Sequence, residues 1–497
     1  MLKVDSKINT NFIISSIILI LLWIISLFGD SIELSYFSAI FGCIFTLKYI
    51  SKFFNGSLNP FKFLSIASAT LILTTNLSWL LSGLFVYDSF DINIFNFIDK
   101  SLNINHQFYI EAILYTLVFS LILFFFSLSK LLIADEKRLY INIFKAVLIK
   151  NKIIYTIIIL IIILEILLIN SNFITIRSFN QEDYQTGVIR WYIPYLGYIF
   201  HFHIAIAALL IVKVNYAKHK NFSYLIIIVS ILLLSLIFFT RGRFQFLFTY
   251  VELLFWYCLF NKKLPTIKNI LIITFIILPF AYYIILFGHY IRLTNEYIGD
   301  FKNQSLITTI ENAQKYINNS VSANNIQDDS FKNLSSRTLL NYPLAKSLEL
   351  GANQKKYLKG EYLINNLIWS IPRFLYPKKV DFLIAEELIV ENFDLIFTDT
   401  SDSIHLFSYL EFWYFGLIIY PLILFLYWRF LLFIMKINYY NSLTSIFILS
   451  PSLLIFFTLA EGGLLGYFSL ARDMLIFSMI FVFINKINKT NNLMEKK

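Results

Sequence analysis

The chain has 497 residues, is 58% hydrophobic and 18% aromatic, and carries only 14% charged residues. That composition excludes a disordered chain and an ordinary water-soluble domain, and the recurring apolar runs near the twenty residues of a spanning helix predict a polytopic membrane protein. The formal charge of +10 fits basic cytoplasmic loops rather than nucleic-acid binding, for which no motif is present.

The first apolar run, Phe12 to Phe28, follows Lys3 and Lys7; Gly29, Asp30 and Ser31 make a poor cleavage site after it, so it reads as a retained anchor helix. Further spans are expected near residues 33 to 49, 63 to 87, 106 to 133, 152 to 170, 192 to 212, 222 to 239, 244 to 260, 268 to 288, 406 to 428, 443 to 460 and 466 to 485. With the first at 11 to 28, that makes about twelve. The expected fold is all-α: membrane helices over 1–288, a large helical periplasmic loop over 289–405, and membrane helices with a short cytoplasmic tail over 406–497.

Placing both termini in the cytoplasm puts 23 of the 41 basic residues in inner segments, as the positive-inside rule requires. Of those, only Arg138 and Arg429 are arginines, so eight of the ten arginines face outward. Lysine suffices to retain a loop, whereas the planar guanidinium suits bidentate contact with phosphate. Snorkelling to lipid phosphates accounts for scattered outer arginines such as Arg177. It accounts less well for Thr240, Arg241, Gly242 and Arg243, a tight basic turn between two apolar runs.

The outer segment carries helical spacing of its own. Leu306, Ile310, Ala313 and Ile317 define one amphipathic helix; Leu363, Ile364, Leu367, Ile368 and Ile371 define a second, ending at Pro372; a third is expected roughly over Asp381 to Phe393. Such helices suit the membrane interface or the roof of a cavity.

Gly-rich phosphate loops, HExxH, nucleophile elbows and CxxC are all missing, which excludes the common nucleotide-driven and soluble hydrolase mechanisms. Cys43 and Cys258 fall inside apolar runs and read as small core residues, and the i, i+2 pair His201 and His203 points to different sides of a helix. No cofactor or metal is expected. Carboxylates at membrane depth mark cavities or partners. Glu252 is expected to pair with a neighbouring helix, and Glu111 and Glu165 to be interfacial. Glu411 opens the span after the long outer segment. Arg472 and Asp473, as adjacent residues on a helix, are expected to face apart and to need separate partners. A buried network that fixes helix packing is the alternative role for each.

Three stretches resemble the O-antigen or oligosaccharide repeat unit polymerases: Thr240 to Arg243 (TRGR), Ser370 to Lys379 (SIPRFLYPKK) and Ser408 to Gly416 (SYLEFWYFG). The pair Arg472 and Asp473 is similar to a late arginine-aspartate pair in that family. The likeness covers about the last 260 residues. It implies a glycosyltransferase of the bacterial inner membrane with its site on the periplasmic side. Its donor and acceptor are polyprenyl-pyrophosphate-linked oligosaccharides, and a chain-length regulator is a further partner. The reaction moves the growing glycan from its carrier to the incoming unit, by inversion and without metal. Arg190, Arg241, Arg243, Arg373 and Arg472 are then candidates for binding pyrophosphate, because fixed cations stabilise the charge that builds on the leaving group. Glu411, Asp473 and His405, in that order, are candidates for the base. An O-antigen ligase, a lipid-linked oligosaccharide flippase, or a transferase using the acidic first outer loop (Asp30, Glu33) are the competing expectations.

Overall fold

The computed structural model describes residues 2–54, 59, 61–90, 104–170, 193–214, 220–241, 243–261, 341–354, 357–372, 375–383, 387–389, 403–457 and 463–494. Among these the chain is helical, with no strand. Helices occupy the described parts of eleven of the twelve apolar segments; 268 to 288 lies outside the described residues. Five stretches are long and apolar enough to cross a membrane, namely Lys7–Gly29, Ile32–Phe53, Phe63–Ser82, His106–Ser127 and Ile404–Ile437, and a sixth is added if the helices Lys130–Leu148 and Asn151–Leu167 form one broken span. This is the makeup of a multi-pass membrane protein. Exposed residues such as Ile14, Leu21, Ile44 and Leu160 give these helices the apolar exteriors that a lipid environment favours.

The helices divide into two compact units. The first, Met1–Asn142 with Ser335–Ile448 and Ser452–Lys497, contains α1 (Leu2–Gly29), α2 (Ile32–Phe54), α3 (Phe63–Phe90), α4 (His106–Ser127) and α5 (Lys130–Ile143). The second, mainly Ile143–Leu334, contains α6 (Asn151–Asn170), α7 (Ile193–Val214), α8 (Lys220–Arg241) and α9 (Arg243–Asn261). Later in the chain, α10 (Tyr342–Gln354), α11 (Glu361–Ser370), α12 (Ile404–Phe412), α13 (Gly416–Ile437), α14 (Ser442–Phe457) and α15 (Leu464–Met494) belong to the first unit, apart from Leu449–Pro451 within α14. The division expected at 405 falls at the start of α12; that at 288 lies outside the described residues.

In the first unit α4 packs against α1, α3, α10, α12 and α13. Its buried face mixes apolar residues with small hydroxyls whose bonds join or bend helices: Ser65 to Ser127 at 2.6 Å, and Ser68 to the Ser120 carbonyl at 2.7 Å. The segment expected as one span over 106 to 133 is broken. Ser129 accepts from the Leu131 N–H at 3.3 Å, a local side-chain bond of the kind that starts a new helix. Beyond that break Asp135 and Glu136 are held by Tyr440 and Trp428, each at 2.9 Å.

The span expected over 406 to 428 is likewise two pieces. The helix is interrupted at Trp413, which has φ 54° and ψ −141°, and a short 3-10 turn over Trp413–Phe415 leads into α13. The interruption brings Gly416 so close to the Ser408 carbonyl that a Cβ there would lie 1.9 Å from that oxygen. Only glycine allows this approach.

In the second unit α8 and α9 form a hairpin around residue 242, shown by the 2.9 Å bond between Ser235 and Tyr250. Arg241 is the last residue of α8 and Arg243 the first of α9, while Gly242 lies outside the described residues.

Candidate functional site

The site in the first unit is organised around α11, ten residues long and about 15 Å from end to end. Its end is where the sequence places it. Ile371 adopts φ −70° and ψ 135°, the extended backbone a residue takes before proline, and Pro372 cannot continue the helix. Its amphipathicity is inverted relative to a soluble helix. Tyr362, Asn365 and Asn366 are buried, whereas Ile364, Leu367 and Ile371 are 55%, 46% and 37% exposed. An apolar face turned outward and amides turned inward suit a helix lying at the membrane interface.

The N-terminal end of α11 is held by Glu411. One carboxylate oxygen, Oε1, accepts the Leu363 N–H at 2.7 Å, and the other accepts the Tyr420 hydroxyl from α13. Leu363 is the third residue of α11, so the carboxylate satisfies one of the helix's orphan donors and sits at the positive end of its dipole. The backbone reinforces the join: the Leu358 and Lys359 N–H groups donate to the Leu410 and Glu411 carbonyls at 2.9 and 3.2 Å. Glu411 is 1% exposed. Gly360 makes the entry with φ 94°, a left-handed conformation that a side chain disfavours. Gly360→Ala is expected to cost about 1 to 2 kcal/mol, read as a lowered apparent melting temperature in detergent.

The C-terminal end is held by cations. Lys379 Nζ donates to the Trp369 and Ile371 carbonyls at 2.9 and 2.8 Å and lies 5.4 Å from the Trp369 ring centroid. Arg472 of α15 donates through a terminal nitrogen to the Ser370 carbonyl. Three successive carbonyls at the negative end of the dipole thus meet two cations. The chain turns at Pro372, whose carbonyl accepts the Leu375 N–H at 2.9 Å. It then runs back along α11, where Asn365 and Trp369 donate to the Leu383 and Phe382 carbonyls at 3.0 and 2.9 Å.

Arg472 and Asp473, expected to face apart, also pair with each other. Arg472 Nε donates to Asp473 Oδ1 at 2.5 Å. Adjacent Cβ atoms diverge, but arginine is long enough to fold over its neighbour. Asp473 is fully buried, whereas the Arg472 side chain keeps 24% of its exposure.

Beside the Glu411 end lies a group of aromatic rings. Tyr409 meets Tyr115, Tyr357 and Tyr414 edge-on at centroid distances of 5.7, 6.3 and 5.8 Å. Trp413 packs against Tyr357 and Tyr414 at 6.3 and 5.1 Å. The Tyr115 hydroxyl is 2.8 Å from Ser408 Oγ, and Tyr414 donates to Glu111. Trp413 and Tyr414 remain 45% and 40% exposed, so the cluster is open on one side.

The remaining candidates fall as follows. His405 is 1% exposed, and neither ring nitrogen has a hydrogen-bond partner among the described residues. Arg241 ends α8 and Arg243 begins α9, while Arg190 and Arg373 lie outside the described residues. The amphipathic helix expected around 306 to 317 also lies outside them. The one expected over Asp381 to Phe393 is described only in part, opening as a 3-10 turn over Pro377–Asp381. Glu165, expected at the interface, is instead fully buried against His203, because α6 and α7 pack together at that level. Glu252 does pair with a neighbouring helix, through His201.

Tyr420 and α10 carried no functional signal in the sequence reading. The Asn341, Tyr342, Pro343 start of α10 is a helix-start signal that would have found it. Tyr420 sits one turn into α13, where nothing in the local spacing separates it from other aromatic residues. Comparison with known proteins returned no match, whether to a family model, a curated protein or a solved structure.

Proposed function

We propose that the protein is a membrane-embedded glycosyltransferase that polymerises polyprenyl-pyrophosphate-linked oligosaccharide units, with twelve spans, cytoplasmic termini and a site on the periplasmic side of a bacterial inner membrane. The observation that carries the reading is the meeting of Lys379 and Arg472 at one end of α11, from stretches that the resemblance singles out independently. Arg373 follows Ser370 by three residues. A cluster of cations at a membrane surface matches a diphosphate ester, whose departure needs positive charge in a water-poor setting.

About 15 Å away along α11 stand the open aromatic rings and Glu111, which supply stacking faces and an acceptor for sugar hydroxyls. A lipid-linked oligosaccharide has the same polarity: diphosphate at one end, sugars at the other. Asp473 is the carboxylate beside the cations and takes the role of base. Glu411 orients α11 and is a positioning residue. By the same resemblance, Arg241 and Arg243 are further phosphate-binding candidates.

Purified protein given a lipid-linked oligosaccharide in detergent is expected to yield a ladder of longer lipid-linked products. A single product on a different lipid acceptor would assign a ligase, and persistent absence of any product would reject transferase activity. Arg472→Lys keeps the charge but loses the fork, and is expected to reduce ladder formation at least tenfold while the protein remains folded. Unchanged extension would remove Arg472 from phosphate binding.

A further inference from the structure

The helices α6 to α9 bury two histidine-carboxylate pairs that sugar transfer does not use. Both histidines lie on α7, and their spacing turns them to different neighbours. His203 Nδ1 lies 2.8 Å from Glu165 Oε1 of α6, and its Nε2 is hydrogen-bonded to Ser230 Oγ of α8. His201 Nδ1 lies 2.8 Å from Glu252 Oε2 of α9, whose Oε1 accepts the Trp256 indole N–H at 3.3 Å.

Further polar contacts extend this string along α8. Ser223, seven residues or about 10 Å before Ser230 and on the same face, is bonded to Tyr155 of α6 at 2.7 Å. Ser235, on a different face of α8, is bonded to Tyr250 of α9 at 2.9 Å.

Glu165, His203 and Ser230 have no exposed surface. A glutamate, histidine and serine in series resemble a nucleophile with its base, but no acyl or phosphoryl donor reaches an enclosed hydroxyl. A proton does, because it moves through hydrogen bonds. With His203 neutral, Nδ1–H donates to Glu165, Ser230 donates to Nε2, and the group carries one negative charge. With a proton gained at Nε2, both ring N–H groups donate, the serine oxygen accepts, and the group is neutral overall. Both contacts survive and only the serine hydroxyl turns. Glu165 Oε2 has no hydrogen-bond partner among the described residues. It can therefore take the next proton.

Burying ionisable groups among apolar helices is costly, and at membrane depth such groups mark ion and proton paths. Several other titratable groups stand on the elements packed around α7. Tyr155 and Tyr250 are bonded to serines as above, Tyr257 accepts from Asn261, Cys258 is buried, and Lys213 donates to the Ile149 carbonyl near the Lys145 turn.

We propose that α6 to α9 conduct protons across the membrane, with Glu165, His203 and Ser230 as one relay station and His201 with Glu252 as the next. This activity is separate from sugar transfer. Full-length protein in phosphatidylcholine vesicles with an entrapped pH-sensitive dye, driven by a potassium diffusion potential, is expected to pass protons at least tenfold faster than protein-free vesicles. Glu165→Gln and His203→Gln are expected to return the flux to the protein-free rate. Wild-type flux at the protein-free rate, or a folded double variant as fast as wild type, would overturn the proposal. If the glutamine variants fail to fold, Ser230→Ala decides, since it leaves the Glu165 contact in place: a fivefold or greater loss supports the relay, and an unchanged flux sinks it.

Discussion

Glu411→Ala is expected to unsettle the whole of α11, whereas Glu411→Gln is expected to be mild. Alanine leaves the Leu363 N–H and the Tyr420 hydroxyl without their acceptor in a buried place. Loss of a cap costs about 1 kcal/mol, and a buried unsatisfied group costs about 1 to 3 kcal/mol, so about 3 kcal/mol is expected. Glutamine keeps an oxygen for Leu363 and offers its amide to the tyrosine oxygen. Apparent melting temperature in detergent should therefore fall clearly for alanine and little for glutamine, and ladder formation should follow the same order. A glutamine variant that melts like wild type but makes no ladder would move Glu411 from positioning α11 to chemistry on the acceptor.

Gly416→Ala is expected to have the largest effect on folding. Its Cβ would lie 1.9 Å from the Ser408 carbonyl oxygen and 2.4 Å from the carbonyl carbon, both backbone atoms with no freedom to turn aside. The junction between α12 and α13 must open, and with it the contacts of Tyr115 with Ser408 and of Tyr420 with Glu411. Overpacking costs about 1 to 3 kcal/mol, and a backbone clash belongs at the upper end. Gly466→Ala is the control, because nothing lies within 4 Å of its Cβ and alanine in a helix gains about 0.5 to 1 kcal/mol over glycine. Melting curves should separate the two in opposite directions. A Gly416→Ala protein as stable as wild type would mean that the close approach of Gly416 to Ser408 is not needed.

Apolar run length was enough to place most helices, because a segment crossing lipid must satisfy its own backbone bonds and can do so only as a helix. Local backbone chemistry likewise placed the end of α11 at Pro372. Run length failed where the chain breaks inside an apolar run. Ser129 and Trp413 interrupt two expected spans, and hydropathy averages over such positions. The second break depends on contact between Ser408 and Gly416, which no window of composition detects.

Residue types at membrane depth also announced which side chains mattered, including Glu252, Glu411, Arg472 and Asp473, since ionisable groups there need partners. Their partners were another matter. Glu411 meets the N–H of Leu363 and the hydroxyl of Tyr420, Arg472 reaches Ser370, and Glu165 lies against His203 instead of facing the interface. Periodicity gives a side chain its direction around a helix axis, but which helix stands opposite is set by packing between segments far apart in the chain. The amino-acid order thus determined helices, membrane character and a short roll of charged residues. Their assembly into a clasped helix and buried histidine-carboxylate pairs came from long-range packing alone.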